Sequence, residues 1–239
     1  MGIPFTDQQA QEADEKYEAV KKFADTSIYV PILRKQFGEQ VQNSTTATAL
    51  LPIGTPGYYS AADTGYNYAS DVPLRTKALW GTSGRGWIDA ISNYLIPGGP
   101  GSGEALGSVG KFVQITGAGT RSATATIKGN YSVVMQANAI FPDIPVGFGT
   151  KARIDAEIYE YIPSSGALNL IKRENVLNKN FTLLAIPNTY SGTISKNLTA
   201  NLQAGKIYLI RLYGYTYAGV KYWEVFSNST SNMWSGGYG

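Results

Sequence analysis

The sequence predicts a mainly β protein, an antiparallel β-sandwich or jelly roll with an N-terminal amphipathic helix. Between residues 111 and 226, short segments rich in apolar and β-branched residues follow one another. Turn residues separate these segments and no helical pattern interrupts them, which is typical of sandwiches and jelly rolls. An α/β fold would need crossover helices between parallel strands, and none fits.

Residues 6–38 are expected to form the helix. Thr6 followed by Gln9 matches a capping box, in which each side chain satisfies a backbone N–H of the other residue. We expect Pro31 to kink the helix and Gly38 to end it. Helical spacing assigns to the buried face Tyr17, Val20, Ala24 and Ile28. It assigns to the solvent face Glu15, Glu18, Lys21, Lys22 and Asp25.

Residues 41–110 are rich in Gly, Pro, Ser, Thr and Tyr and carry few charges, so we expect long ordered loops there. The glycines of segment 101–107 belong to this loop region, because they do not follow a strand as a dinucleotide loop requires. One short helix is predicted over residues 87–96. Tyrosine offers contact area at little entropic cost, so interface roles are expected for Tyr58, Tyr59, Tyr66 and Tyr68.

Strict alternation makes residues 152–161 the clearest strand, with an apolar face and a charged face that we expect to be solvated. A second strand over residues 206–217 is expected to turn at Ala218-Gly219 into a hairpin with residues 220–226. Gly117-Ala-Gly119 is expected to be a turn between strands. Further strands are predicted at 112–116, 123–128, 131–140, 168–173, 181–186 and 192–198.

Four regions are therefore expected: a helical segment (1–40), a loop region (41–110), a β-sandwich (111–227) and a C-terminal tail (228–239). The tail is poor in charge and rich in small residues, and in solvent it should be disordered. We expect a neighbouring subunit to hold it, and its Trp234 to contribute to that contact. Losing residues 233–239 should then weaken assembly while leaving the sandwich folded.

Composition excludes several functions. The 239 residues include no His and no Cys, which removes the Ser-His-Asp triad, thiol chemistry, disulfides and the usual zinc, haem and iron–sulfur ligands. We expect neither a cofactor nor a metal. The net charge of +3 is spread along the chain, which argues against nucleic-acid binding. No apolar run is long enough for a membrane span, and the first 30 residues contain no secretory-type apolar stretch.

Asn-x-Ser/Thr sequons are more frequent than the roughly two expected by chance. They mark as candidate glycosylation sites Asn43, Asn130, Asn180, Asn197 and Asn228.

The predicted strands carry two candidate sites. Asp155 and Glu157 share a strand face, as a glycosidase pair could, but neighbouring Lys151 and Arg153 favour a solvated charged strand. Aromatic rings alternate along the other predicted strand, residues 206–217. They suit either packing and interfaces or sugar stacking. The alternating rings are those of Tyr213, Tyr215 and Tyr217, and the predicted hairpin partner adds Tyr222 and Trp223.

The Tyr-, Asn-, Ser- and Thr-rich strands of residues 181–217 and 219–226 resemble the β-sandwich proteins of thermophilic archaeal surfaces and of archaeal virions. This resemblance covers about residues 111–230. It implies a non-catalytic capsid, vertex, turret or filament subunit, often glycosylated, at a virion or extracellular surface. The expected partners are further copies of the chain or other structural subunits. The alternative is a glycan-binding or adhesion module that uses the Tyr/Trp face on cell-surface glycans.

Overall fold

The N-terminal helix begins where the sequence predicts. Thr6 is the N-cap, its hydroxyl accepts from the Gln9 N–H, and the Gln9 side chain accepts from the Thr6 N–H at 2.8 Å. The computed structural model describes residues 3–42, 49–57, 62–70, 77–81, 86–95, 101–139, 148–220 and 227–236. Within them the helical segment is α1 (Asp7–Ala24), a π-turn (Asp25–Tyr29) and α2 (Val30–Gln42).

The π-turn takes the place of the expected kink. Pro31 cannot donate a backbone hydrogen bond to the preceding turn and its ring crowds that turn. The helix widens just before it, and the Val30 N–H donates to the Asp25 carbonyl five residues back. The helix then continues through Gly38 to Gln42, so the expected end at Gly38 is wrong.

In the described ranges, eleven strands form an open β-sandwich. They are β1 (Ile3–Pro4), β2 (Ala49–Pro52), β3 (Thr64–Ala69), β4 (Lys77–Gly81), β5 (Trp87–Leu95), β6 (Gly101–Thr116), β7 (Thr120–Ala139), β8 (Phe148–Ile162), β9 (Ala167–Gln203), β10 (Ile207–Val220) and β11 (Ser227–Gly236). Sheet A contains β2 and β3 beside β6, then β10, β8 and the first half of β9. Sheet B contains the second half of β9, then β7, β11, β5 and β4. β9 passes from one sheet to the other, and β1 pairs with it near that passage. Of these strand pairs, β2–β6 is parallel and the others are antiparallel.

Each strand predicted between residues 111 and 217 overlaps a strand of the structure, with residue 206 just before β10 and residue 140 outside the described part of the chain. Gly117 and Gly119 have φ values of 106° and 86°, which confirms the turn between β6 and β7. The hairpin at Ala218-Gly219 is wrong, because β10 runs straight through it with Gly219 paired to Gly149 and Ser102. Residues 221–226 lie outside the described part of the chain.

The expected loops of residues 41–110 contain four strands and the start of a fifth. The segment predicted as a short helix is β5, in which Ile88, Ala90 and Ser92 alternate as buried residues. Pairing with β4 and β11 overrides its helical spacing. Segment 101–107 belongs to β6, where the absence of a side chain at Gly107 lets Ile88 pack directly on the backbone.

The C-terminal segment also differs from expectation. β11 pairs with β7 on one side and β5 on the other, so this chain's own sheet B holds the tail. No neighbouring subunit is needed to order residues 227–236.

The molecule has three layers. The apolar face of β8, with Ile154 and Ile158, packs between the sheets against side chains of sheet B such as Ile127 and Leu198. The opposite face of sheet A is covered by the helical segment. Residues at this second interface are mainly aromatic, and the fully buried ones include Tyr17, Tyr29, Leu33, Leu106, Tyr213 and Tyr215.

Candidate functional site

The charged face of β8 lies beneath the helix and is not solvated. Asp155 and Glu157 are both fully buried, so the expectation of a wet face is wrong. Lys21, expected on the solvent face of the helix, is also buried. The alternation of β8 was identified correctly, but both of its faces are covered.

Arg211 of β10 is the centre of this buried charge cluster. Its two Nη atoms donate to the Asp25 carboxylate at 2.8 and 2.9 Å, and its Nε donates to Glu157 at 2.8 Å. Its guanidinium also lies 4.4 Å from the ring centre of Tyr159. One fully buried cation therefore joins the π-turn of the helix to two strands of sheet A.

The carboxylates are held ionised by these cations. Burial tends to raise the pKa of Asp25, but Arg211 and Lys21 outweigh it and hold the pKa well below its ordinary value. Burial likewise tends to raise the pKa of Glu157, and Arg211, Lys21 and Arg173 hold it lower. Lys21 lies 3.1 Å from Glu157, and Arg173 donates to Glu157 at 2.8 Å.

Asp155 is equally well partnered. It accepts from Tyr17 at 2.6 Å, Arg153 at 2.9 Å and Asn175 at 2.9 Å. A glycosidase needs two carboxyls that face a sugar across a cleft, one of them able to hold a proton. Asp155 and Glu157 lie instead in a packed layer, surrounded by donors. This geometry supports attachment of the helix, and it gives no positive sign of catalysis.

The tyrosine ladder packs against the helix. Tyr17 meets Tyr213 and Tyr215 edge-on, at 5.9 and 5.2 Å between ring centres. Tyr29 stacks on Tyr66 at 4.5 Å. The packing alternative thus describes these rings, and the exposed contact platform does not.

The other candidate aromatic residues differ in exposure. Tyr68 and Tyr217 are half-buried, at the margin of the same interface. Tyr58, Tyr59, Tyr222 and Trp223 lie outside the described residues, as does the side chain of Trp234.

The sequons separate into three groups. Asn130 and Asn197 are exposed on the outer face of sheet B, and Asn180 is half-buried beside Lys151. Asn43 and the side chain of Asn228 lie outside the described part of the chain.

The first half of β9 forms an edge of sheet A. Over Ala167–Asn180 its partner is β8, and no other strand among the described residues pairs with its opposite side. Leu170 and Ile171 are 45% and 40% exposed on this edge. Here the pairing register with β8 shifts: Ile158 is opposite Lys172, whereas the next residue, Tyr159, is opposite Leu170.

A groove of about 680 Å³ opens between the sheets beside the chain segment that follows β2. Its lining is largely apolar, with Val113, Ile115 and Ile127 among its residues. Lys111 and Arg121 add charge, and none of the predicted site residues lies in it.

Among the described residues, no group of His, Cys, Asp and Glu is arranged to hold a metal ion. In the same part of the chain, no helix combines the length and the hydropathy needed to cross a membrane.

Sequence reasoning missed Arg211, Lys21 and Asp25 as a cluster. A signal was present in β10. Arg211 interrupts the apolar and aromatic residues at alternate positions from 207 to 217, which lie on the face of sheet A that the helix covers. A lone cation in such a row needs a buried carboxylate partner. Its partner, Asp25, lies 186 positions away along the chain.

The fold thus defines an open β-sandwich with a docked N-terminal helix. No family model matches the sequence, and no curated protein matches it. Among solved structures, the chain is similar to an Arthrobacter globiformis isomalto-dextranase complexed with panose (13% identity, TM-score 0.20), with 72% of this chain and 23% of that one covered. It is similar to a Clostridium thermocellum xylanase with CBM22-1 and GH10 modules complexed with xylohexaose (14%, 0.20), with 70% and 29% covered.

A third similar structure is that of infectious bursal disease virus, Gt strain (10%, 0.17), with 73% of this chain and 42% of that one covered. The chain thus spans less than half the length of each of these proteins. These weak neighbours include a virus capsid and carbohydrate-active proteins, and at such TM-scores they carry no conclusion about function. The resemblance to archaeal virion proteins stays a prediction.

Proposed function

We propose that the protein is a non-catalytic structural subunit of a virion or extracellular assembly, acting by self-association through its sandwich edges. The observation that carries the proposal is the edge of β9 over Ala167–Asn180. No described strand pairs with its outer side, so its backbone groups there can accept a strand from a second copy. Leu170 and Ile171 add apolar area at the same place.

Natural sandwiches protect long edges with charge, bulges or covering segments. Here Lys172 and Glu174 form an exposed ion pair on the edge, 2.9 Å apart, so the charges satisfy each other within the strand. They follow two exposed apolar residues, Leu170 and Ile171, and do not replace them. An edge of this kind suits a specific partner better than open solvent.

The interior of the molecule supports a structural role in a second way. The chain's two candidate catalytic carboxylates are saturated by Arg211, Arg173, Arg153 and other donors beneath the helix. Among the described candidate rings for glycan stacking, Tyr213 and Tyr215 are buried in the same layer and Tyr217 is half-buried at its margin. No described residue favours the adhesion alternative.

The test is the mass of the purified chain by light scattering across a concentration series. We expect mass to grow with concentration for the wild type, and both Leu170→Lys and Ile171→Lys to shift this growth to at least about tenfold higher concentration, or about 1.4 kcal/mol. Ile32→Lys is the matched control, because Ile32 is 44% exposed and belongs to α2, not to β9.

All variants must retain the wild-type circular dichroism spectrum and melting temperature. A wild type that stays monomeric at every concentration contradicts the proposal. Edge variants that assemble like the Ile32→Lys control would also overturn the assignment of β9.

A further inference from the structure

The outer face of sheet B carries an unusual row of small polar side chains along β7 and β9. We call this the hydroxyl face and define it by the residues that point outward: Ser122, Thr124, Thr126, Lys128 and Asn130 on β7, and Thr193, Ser195, Asn197, Thr199 and Asn201 on β9. All ten are exposed, and one of them is charged. Thr124 pairs with Thr199 at 2.9 Å between hydroxyl oxygens.

Two sequon asparagines lie on this face. The Thr126 hydroxyl donates to the Asn197 Oδ1 at 2.8 Å, which leaves the Nδ2 of this exposed residue out of that bond. Asn130 is opposite Thr193, and Thr126 is opposite Asn197, four residues along the same strand. At about 3.4 Å per residue the two asparagines are about 14 Å apart along the sheet.

The third described sequon differs. Asn180 is half-buried, and its Oδ1 accepts from the Lys151 ammonium at 3.4 Å. Lys151 is itself fully buried and paired with Asp14 of α1 at 2.9 Å. A sugar on Asn180 would therefore press against the helix that covers sheet A.

We propose that Asn130 and Asn197 carry N-linked oligosaccharides, and that the hydroxyl face is therefore the side of the subunit turned away from subunit contacts. The donor is a lipid-linked oligosaccharide. The bond between the sugar C1 and the lipid phosphate oxygen breaks, and a bond from C1 to the Asn Nδ2 forms. The Nδ2 loses one proton, the lipid phosphate leaves, and nothing is oxidised or reduced.

The first experiment maps the modification. The full chain is expressed with a secretion signal in a host that has an oligosaccharyltransferase, and intact masses and glycopeptides are measured. We expect Asn130→Gln and Asn197→Gln each to lose one glycan increment, the double variant to lose two, and Asn180→Gln to lose none. Occupancy of neither site, of one site only, or of Asn180 in their place overturns the assignment.

The second experiment tests the orientation, and this part rests on the proposed function. Because the chain has no cysteine, Asn197→Cys and Asn130→Cys each introduce a single thiol for a maleimide polymer of glycan size. We expect assembly to survive the polymer at either position and to be lost with the same polymer on Ile171→Cys. Loss of assembly with the polymer on the hydroxyl face overturns the orientation.

The two failures are distinguishable. If the unlabelled wild type does not self-associate, the proposed function fails. The assignment of the glycan sites is then decided only by the masses measured in the first experiment. If the wild type assembles and the labelled hydroxyl face blocks it, the orientation fails and the proposed function stands.

Discussion

Replacing Arg211 by Met tests whether the buried charge cluster holds the helix on the sandwich. Met keeps much of the side-chain length and removes three hydrogen bonds of 2.8–2.9 Å to Asp25 and Glu157. Two buried carboxylates then lose their central cation. Breaking a buried pair in this way costs about 3–5 kcal/mol. This is at least about a fifth of the roughly 5–15 kcal/mol that stabilises a typical domain.

The assay is urea unfolding followed by circular dichroism and tyrosine fluorescence at neutral and acidic pH. At pH 7 we expect Arg211→Met to lose about 3–5 kcal/mol. Below about pH 4 the loss should shrink, because carboxylates without their cation take up protons and become neutral. Lys206→Met is the control: it breaks an exposed pair with Glu160, 2.8 Å long, and should leave the midpoint unchanged. A pH-independent loss, or one below about 1 kcal/mol, refutes the reasoning.

Three further predictions concern the wild type and two other variants. Because the pKa values of Asp25 and Glu157 are lowered in the folded state, the stability that these carboxylates add is complete above their ordinary pKa values of 3.8 and 4.5. It is lost as the pH falls towards their folded-state pKa values, so an unfolding midpoint that does not change between pH 6 and pH 2.5 would contradict this prediction. Gly107→Val should lower the free energy of unfolding by about 1–3 kcal/mol, because the valine side chain would overlap Ile88. Thr199→Val on the surface is the control and should change it by less than about 0.5 kcal/mol, so equal melting temperatures of the two variants would contradict the close packing of Ile88 on Gly107. Deleting residues 233–239 should lower the melting temperature and expose β5 to proteolysis, because it removes part of the strand that joins β5 to β7; an intact sandwich with impaired assembly would instead restore the expectation from sequence.

The strands after residue 111 were predictable because their signals are local. The alternation of residues 152–161, the positive-φ glycines of the β6–β7 turn and the capping box of Thr6 and Gln9 each depend on neighbours within a few residues. Each pattern therefore indicates its element without knowledge of the rest of the chain.

The strands before residue 111 were missed because their local patterns do not indicate strands: β5 has helical spacing, and the glycines of β6 carry no strand signal. Gly107 is in β6 because Ile88 needs the space, and that need appears only when β5 and β6 are packed together. The buried charges were missed for a related reason. A charged strand face indicates solvent unless a distant segment covers it, and the helix that covers β8 lies more than a hundred residues earlier.

The π-turn explains how one stripe of the helix can face sheet A along the whole length of the helix. The residues that face sheet A, Tyr17, Lys21, Asp25, Tyr29 and Leu33, recur every four positions. In an ideal α-helix, a step of four residues turns about 40° past a full turn, so this stripe would rotate away from the sheet. The wider turn at Asp25–Tyr29 takes up part of that rotation.

The same turn limits where assembly contacts can form. Because Asp25 accepts two hydrogen bonds from a guanidinium fixed in β10, moving the helix by one residue would leave Arg211 facing a different side chain. The helix is therefore a fixed layer of the molecule, and it covers the aromatic face of sheet A. The self-association proposed above would then use surfaces that the folded monomer leaves open, such as the edge of β9. This is why the Arg211 and Leu170 variants should separate: the first lowers stability, and the second lowers assembly at unchanged stability.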